Sequence, residues 1–377
     1  RRDQPDRAFP VNPFGRFMRT QPMCTTISVG EHATVDGSFL VARSADSSSL
    51  KAQHFVIHPA VTGQSGVYSC KAHGGVNDFS YPLPENAMRY TTVPNWETQL
   101  HGAVGFNEAG LGLTGTESIF ASDEALSFDP YNKASGITED DIPNVILPRC
   151  RTAKEGVLLL GKIIETQGAG EGFGVAFVDQ HDVWYLETGS GHQWMAERIP
   201  ADSYFASGNH GRLGFYDPEN ENQLASPTLV SFAAEKGLYD PKKGPFHFSA
   251  AYTRDDGRDR VYNDPRVWIM QKILNPSIDQ PVDDGRNFAV YLKPEKKVSL
   301  ADMKAIMRDH YEGTPHDPYG ENLNGAEPWR PISVFRTYEA HVMEVRPNLP
   351  LAIGEVVHVA FGMADLSVFV PFYHGLE

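Results

Sequence analysis

Short segments in which apolar and polar residues alternate recur along the chain and predict antiparallel β-strands. The first pair is "CTTISVG", which begins at Cys24, and "FLVARS", which begins at Phe39, with the turn dipeptide Asp36–Gly37 between them. Similar pairs are predicted within "GAVGFNEAGLGLTG" at 102–115, within "FGVAFVDQHDVWYLET" at 173–188, and between "EAHVMEVR" at 339–346 and "EVVHVAFG" at 355–362. The chain is therefore expected to be rich in hairpins.

Three other segments place apolar residues at helical spacing. The segment "TAKEGVLLLGKIIETQG" at 152–168 ends on Gly168, a residue typical of the position just after a helix. The segment "SPTLVSFAAEKGL" at 226–238 predicts a helix with Ser226 as the N-cap and Pro227 at the first helical position. The segment "SLADMKAIMRDHY" at 299–311 predicts a capping box between Ser299 and Asp302.

The segments between these elements are rich in Pro, Gly and Asn, and they predict long connections at 121–145, 208–226 and 312–332. No tandem repeat and no low-complexity linker divides the chain. Groups of antiparallel strands with helices between them predict one domain of the α+β class.

Composition and charge narrow the classes of partner. The 377 residues are 41% hydrophobic and 21% charged, which is typical of a globular protein with a sizeable core. A net charge of -15 disfavours nucleic acid and anionic membranes as partners, because both are polyanions. The three cysteines, Cys24, Cys70 and Cys150, do not form a disulfide pattern. A reducing, cytoplasmic setting is therefore expected.

Several motifs have a simpler structural interpretation. "GLGLTG" at 110–115 matches a dinucleotide-binding pattern, but no helix is predicted after it, so glycines of a hairpin are favoured. His310 and His316 lie beside aspartates and leave metal binding open as an alternative, although a loop of hydrogen-bonded polar residues is favoured. Glu117 and Glu187 at strand ends leave a carboxylate pair of the glycosidase type open. No cofactor is predicted.

Cys24 carries the strongest candidate chemistry. A cysteine at the N-terminus of a mature chain needs no histidine base, because its own α-amine, with a reference pKa of about 7.7 to 8.0, can accept the thiol proton. A nearby cation such as Arg43 would favour the thiolate, and Asp46 could hold the amine by hydrogen bonding. This chemistry requires that residues 1–23 be removed.

A family resemblance covers most of residues 24–377. The segments "CTTISVG", "DGSFLVARSADSS", "GFNEAGLGLTGTESI", "GITEDDIPNVILPRCRTAKEGV", "VWYLETGSGHQWMAERIPADSYFASGN", "YNDPRVW", "HYEGTPHDPYG" and "FRTYEAHVMEVR" occur in this order. They resemble the cysteine dipeptidases of the dipeptidase A group, among the N-terminal-nucleophile hydrolases. The resemblance implies a four-layer αββα sandwich, with two antiparallel sheets between helix layers, and hydrolysis of dipeptides.

The resemblance also implies roles for individual residues. Cys24 matches the family nucleophile, and Arg43 and Asp46 match an Arg and Asp that related penicillin V acylases and bile-salt hydrolases share. Asn209 matches the second of two asparagines that those relatives place near the oxyanion. The first asparagine corresponds to Glu117 here, and a carboxylate suits the binding of a substrate ammonium group instead. The later arginine of those relatives has no clear match; Arg254 is nearest by spacing.

The ends of the chain lead to further expectations. Residues 1–23 are interpreted as a leader or as extraneous sequence, and residues 24–377 as a single hydrolase domain, which ends earlier than is usual for the dipeptidases. Cleavage between Met23 and Cys24 is expected to free the amine. Two other functions stay open, an amidase like the acylases and bile-salt hydrolases, and a non-catalytic binding protein. A homo-oligomer is also left open.

Overall fold

A computed structural model describes residues 23–47, 51–97, 99, 102–115, 119–255, 257–320 and 326–377. The strands are β1 Thr25–Val29, β2 Phe39–Asp46, β3 Val56–His58, β4 Val61–Thr62, β5 Val67–Ser69, β6 Ser80–Pro82, β7 Asn86–Ala87, β8 Tyr90–Thr92, β9 Val104–Phe106, β10 Gly112–Thr114, β11 Gly174–Val178, β12 Val183–Thr188, β13 Trp194–Arg198, β14 Tyr204–Ser207, β15 Gln223–Ala225, β16 Tyr291–Leu292, β17 Thr337–Val345, β18 Glu355–Phe361 and β19 Val370–Tyr373. The helices are α1 Asp123–Phe128, α2 Ile142–Ile146, α3 Ala153–Gln167, α4 Leu229–Glu235, α5 Phe248–Tyr252, α6 Asp259–Tyr262, α7 Asp264–Leu274, α8 Leu300–Arg308 and α9 Leu351–Gly354.

Two large antiparallel sheets organise the described residues. The first has seven strands in the order β16-β14-β1-β2-β17-β18-β19, and the second has six in the order β15-β13-β12-β11-β10-β9. In the first sheet β1 and β2 are central, and their side chains are buried along the full length of both strands. Burial along a whole strand indicates that both faces of this sheet are covered.

Three hydrophobic clusters show what covers each face. One cluster joins the two sheets, for example Val41 of β2 with Val178 of β11 and Met195 of β13. A second joins the six-stranded sheet to α3, and a third joins the seven-stranded sheet to α7 and α8. The chain is thus a mixed α/β fold in which antiparallel sheets and helices pack through three apolar interfaces.

The strand register places a charged residue in the interior. Thr26 pairs with Arg43, and Arg43 pairs with His341 on β17. Directly paired residues project to the same face of a sheet, and so do residues two apart on one strand. Arg43 therefore leaves β2 on the same face as Val41, toward the interface between the two sheets.

The hairpins predicted from alternation are confirmed, with β1 and β2, β9 and β10, β11 and β12, and β17 and β18 each paired antiparallel. The helix at 152–168 is confirmed as α3, with Gly168 at φ +84° directly after it. The capping box at Ser299 is confirmed as well. "GLGLTG" forms part of the β9–β10 hairpin, as favoured.

The predicted start of the helix at 226–238 is wrong. The helix α4 begins at Leu229, and Thr228 occupies the N-cap position. Ser226 does not cap it because its hydroxyl donates to Gln193 Oε1 at 2.7 Å and accepts from the Trp194 amide at 3.3 Å. Binding to the β13 strand therefore replaces the capping interaction.

Candidate active site

Cys24 lies directly before β1, at the interior end of the β1–β2 pair. Its side chain is 1% exposed. Arg43 on the neighbouring strand donates a hydrogen bond from Nη2 to Cys24 Sγ at 2.9 Å. The sheet register explains this contact. β1 and β2 pair antiparallel with Thr26 opposite Arg43, so Arg43 lies beside the start of β1. A buried guanidinium against a thiol stabilises the thiolate once a base has taken the proton.

The Cys24 thiol is protonated in the described chain, in which Met23 is still attached. Burial raises the pKa of Cys24 to about 12, and the negative charges of Glu139 and Asp46 act in the same direction. The charge of Arg43 and a hydrogen bond from the Asp46 backbone oppose this rise. A thiol with this pKa holds its proton at neutral pH, so a base is needed before Cys24 can form a thiolate.

Asp46 ends β2 and is fully buried. Its carboxylate accepts from the Thr337 hydroxyl at 2.6 Å and from the Ser44 hydroxyl at 3.1 Å, and it forms an ion pair with Arg330. Its backbone carbonyl accepts from the amide of Met23 at 2.7 Å. Asp46 therefore contacts both the segment before Cys24 and the guanidinium of Arg330.

Arg330 also contacts the peptide bond that precedes Cys24. Its Nη2 donates to the Met23 carbonyl at 3.0 Å, and its Nη1 donates to the Thr25 hydroxyl at 3.3 Å. The positive charge is balanced inside the protein because Asp46 lies against it. Arg330 thus holds the residues on both sides of Cys24, Met23 through its carbonyl and Thr25 through its hydroxyl.

Asn209 follows β14 and is fully buried. Its Oδ1 accepts from Arg266 Nη2 at 2.7 Å, and its backbone amide donates to Asn263 Oδ1 at 2.9 Å. Its Nδ2 has no hydrogen-bond partner among the described residues. A buried donor with a fixed direction and no partner is the arrangement that an oxyanion requires.

Arg266 connects Asn209 to Cys24. Its Nη1 donates to the Cys24 carbonyl at 2.6 Å and to the Thr25 hydroxyl at 2.8 Å, while its Nη2 holds Asn209. Burial lowers the pKa of Arg266 to about 10, so the guanidinium is still charged at neutral pH. Two buried arginines thus contact Cys24 itself, Arg43 at the thiol and Arg266 at the carbonyl, while the buried Arg330 contacts Met23 and Thr25.

Comparison with known proteins assigns the family. A family model described as "Peptidase family C69" matches residues 23–377. The chain belongs to peptidase family C69. The resemblance to the dipeptidase A group that the sequence motifs indicate is thereby confirmed.

Several curated relatives of this C69 peptidase are named as dipeptidases. A probable dipeptidase of Salmonella dublin is 54% identical over 94% of this chain and 81% of its own length. A probable dipeptidase A of Streptococcus pyogenes serotype M1 is 38% identical over 93% of this chain and 74% of its own length. Dipeptidase A of Lactobacillus helveticus is 29% identical over 94% of this chain and 75% of its own length.

Sequence reasoning missed several residues of the candidate site, among them Arg330, which contacts Met23 and Asp46. Arg254, the nearest candidate by spacing for the later arginine, forms an ion pair with Asp259 at 3.8 Å, whereas Arg266 reaches Cys24. The signal was present in the motif "YNDPRVW", which contains Arg266. Glu139 and Tyr338 were also missed; both are buried and interact electrostatically with Cys24.

Other predicted positions differ in their outcomes. Glu117 lies outside the described residues, so its role in holding an ammonium group stays a prediction. His310 pairs with Asp317 at 3.0 Å, and His316 stacks on Trp329 with ring centroids 3.6 Å apart. In the part of the chain that the structure describes, no group of three His, Cys, Asp or Glu residues has a metal-binding arrangement. Likewise, no described helix is long and apolar enough to cross a membrane.

A surface cleft of about 530 Å³ is separate from this site. Residues that line it include Glu31, Gly37 and Phe39. These residues lie at the turn end of the β1–β2 pair, while Cys24 lies at the opposite end. The cleft therefore does not contain the candidate catalytic thiol.

Proposed function

We propose that this C69 peptidase is a dipeptidase in which Cys24, freed as the N-terminal residue, is the nucleophile. The observation that carries the proposal is the convergence of two buried arginines on one residue. Arg43 contacts Cys24 Sγ at 2.9 Å, and Arg266 contacts the Cys24 carbonyl at 2.6 Å while it also holds Asn209. A cysteine with only a structural role would not require two buried cations.

The first step is cleavage of the Met23–Cys24 bond. In the described state the Met23 amide is bound to Asp46 and its carbonyl to Arg330, so the bond is held in one position. The thiol is buried and protonated there. Cleavage supplies an α-amine with a reference pKa of about 7.7 to 8.0, which is a suitable base at neutral pH.

The proposed reaction then has two stages. The Cys24 amine takes the thiol proton, the thiolate attacks the carbonyl of the dipeptide, and a thioester forms as the C–N bond breaks and the leaving amine takes a proton. Water then hydrolyses the thioester and restores the thiol. Asn209 Nδ2 stabilises the oxyanion at each stage, an interaction worth about 3 to 4 kcal/mol for a well-placed donor.

The fold is compatible with the N-terminal-nucleophile hydrolases. The helix α3 packs on the six-stranded sheet, the two sheets pack on each other, and α7 and α8 pack on the seven-stranded sheet. We propose that this order is the four-layer αββα sandwich that the resemblance implies. The nucleophile then lies at the end of a central strand, where it faces the interface between the sheets.

The test determines which residue begins the mature chain and whether that chain hydrolyses dipeptides. Intact-mass and N-terminal analysis of the purified protein should show a chain that begins at Cys24, and that chain should hydrolyse dipeptides. Cys24→Ala should abolish hydrolysis, whereas Cys150→Ala, at a buried cysteine outside the site, should retain it. Activity in a chain that begins elsewhere, or in Cys24→Ala, would overturn the mechanism.

The substrate panel should also include penicillin V and bile-salt conjugates. We expect dipeptides to be cleaved and the other amides to be poor substrates, because the relatives described above are named as dipeptidases. Cleavage of the other amides without dipeptide hydrolysis would favour the amidase alternative. A mature, folded chain that cleaves none of these substrates would favour a binding role.

A further inference from the structure

His210 is the residue after Asn209, the candidate oxyanion donor. The loop that contains it is held by Glu187, whose carboxylate accepts from the backbone amides of Arg212 and Leu213 at 2.8 and 3.0 Å. Gly211 packs so tightly that an added Cβ would lie 2.1 Å from Thr253 Oγ1. The backbone of the loop that follows His210 is therefore held in place by the fold.

The His210 side chain is buried without a protein partner. It is 7% exposed, and neither ring nitrogen has a hydrogen-bond partner among the described residues. A neutral imidazole has one N–H donor and one acceptor, and buried polar groups are almost always paired. His210 is an exception among the described residues, and its imidazole is therefore open to a hydrogen bond with a bound molecule.

The charged groups around His210 favour a ligand of one charge. Burial lowers the pKa of His210 well below its usual value, and the positive charges of Arg212, Arg266, Arg286 and Arg254 act in the same direction. The imidazole is therefore neutral. The surrounding guanidinium charges favour an anion as the group that accepts its hydrogen bond.

The arginines also form a connected path to the surface. Arg286 donates to the Arg254 carbonyl at 2.6 Å and pairs with the exposed Asp255 at 3.2 Å. Arg254 lies over the ring of Phe120, 4.3 Å from its centroid, and its backbone amide donates to the Phe120 carbonyl at 3.0 Å. The Arg286 side chain is 41% exposed and that of Arg254 is 19% exposed, and each lies beside an aspartate, so the two guanidinium groups extend from the surface into the protein.

We propose that His210, with Arg254 and Arg286, binds the free α-carboxylate of the substrate's leaving residue. This inference rests on the proposed dipeptidase function. In a dipeptide, one Cα separates the scissile nitrogen from the terminal carboxylate, and consecutive Cα atoms are about 3.8 Å apart. A dipeptide therefore carries an anion one residue after its scissile bond, and His210, next to Asn209 in the chain, offers that anion a buried and unpartnered hydrogen-bonding group. The substrate class is dipeptides with a free C-terminus.

The experiment compares alanyl-alanine with alanyl-alanine amide, which differ only in the terminal charge. Wild-type protein should have a higher kcat/KM for the acid. His210→Ala should reduce the acid-to-amide ratio by at least about tenfold, mainly through KM, as expected for a hydrogen bond to a charged group. His210→Gln retains an N–H donor and should give an intermediate ratio. His181→Ala, at an exposed turn, should change neither rate.

The outcomes separate this inference from the proposed function. If wild-type protein cleaves neither compound, the proposed function fails and the carboxylate site falls with it. If both are cleaved equally well by wild-type protein, or if His210→Ala leaves the ratio unchanged, the carboxylate site alone is refuted. Should His210→Ala not fold, Arg286→Gln decides, because that side chain is partly exposed; it should also lower the ratio, and an unchanged ratio would refute the site.

Discussion

Arg266 Nη2 donates a hydrogen bond to Asn209 Oδ1 at 2.7 Å, and this contact fixes the direction of the Asn209 amide. Because Oδ1 faces the guanidinium, Nδ2 is the atom left for a ligand, and it has no partner among the described residues. The same arginine binds the Cys24 carbonyl. The orientation of the Asn209 amide and the position of the Cys24 carbonyl are therefore coupled through one side chain.

Removal of the Asn209 amide should slow the chemical step. We expect Asn209→Ala to lower kcat for dipeptide hydrolysis roughly 100- to 1000-fold with a smaller change in KM, because an oxyanion donor acts in the transition state. Steady-state kinetics on the mature protein measure this. Asn348→Ala, at an exposed position, is the matched control. An unchanged kcat in Asn209→Ala would exclude this residue from the oxyanion site.

Arg43 should control the acid limb of the pH profile. Its charge lowers the pKa of the Cys24 thiol, so Arg43→Gln should raise that pKa and shift the acid limb of kcat/KM to higher pH by about 1 to 2 units. Less thiolate is then present at pH 7, and each unit lowers its fraction about tenfold.

Arg43→Lys is the control for this prediction, because it keeps the positive charge but not the guanidinium geometry. Its acid limb should stay closer to that of the wild type. The alkylation rate of the thiol against pH gives a readout that does not depend on substrate. Identical profiles for the wild type and Arg43→Gln would contradict a role for Arg43 in thiolate stabilisation.

The Asp46–Arg330 ion pair should be important for stability. Both side chains are almost fully buried, so Asp46→Asn would leave the Arg330 charge without its counter-charge. We expect the free energy of unfolding to fall by about 3 to 5 kcal/mol, measured by urea denaturation. The exposed pair of Arg260 and Glu327 is the comparison. Glu327→Gln should lower the free energy of unfolding by less than about 1 kcal/mol. Equal losses of unfolding free energy in Asp46→Asn and Glu327→Gln would show that burial does not make the first pair more important.

Asp264, at the start of α7, should make stability depend on pH. Burial, with the charge of Asp259, raises the pKa of Asp264 to about 6. Its unfolded value is about 3.9, so the folded state holds the extra proton between these values. The contribution to stability is therefore complete below about pH 4 and is lost as pH rises through 6, by about 2 to 3 kcal/mol in total.

Replacement of Asp264 by asparagine should remove this decline, because the amide does not titrate. Unfolding free energies at pH 4.5 and 7.5 should differ less in Asp264→Asn than in the wild type. Asp283→Asn, at an exposed aspartate in the segment after α7, is the control and should leave the difference unchanged. A variant with the full wild-type decline would show that another group causes it.

Local patterns were sufficient for much of the fold. Alternation placed the strands that contain Arg43 and His341, and the capping box at Ser299 was correct because both of its hydrogen bonds join residues three apart. The start of α4 was wrong because Ser226 binds Gln193, a residue 33 positions away. No pattern near Ser226 contains that information.

By itself, the sequence determined the hairpins, the family and three neighbouring candidates, Cys24, Arg43 and Asp46, because these lie on two successive strands. Only the tertiary structure decided that Arg266, rather than Arg254, reaches Cys24, and that Asn209 presents its Nδ2. The physical reason is that α7 is positioned by its apolar packing on the seven-stranded sheet. That packing brings together residues 242 positions apart, and spacing along the chain does not encode such a contact.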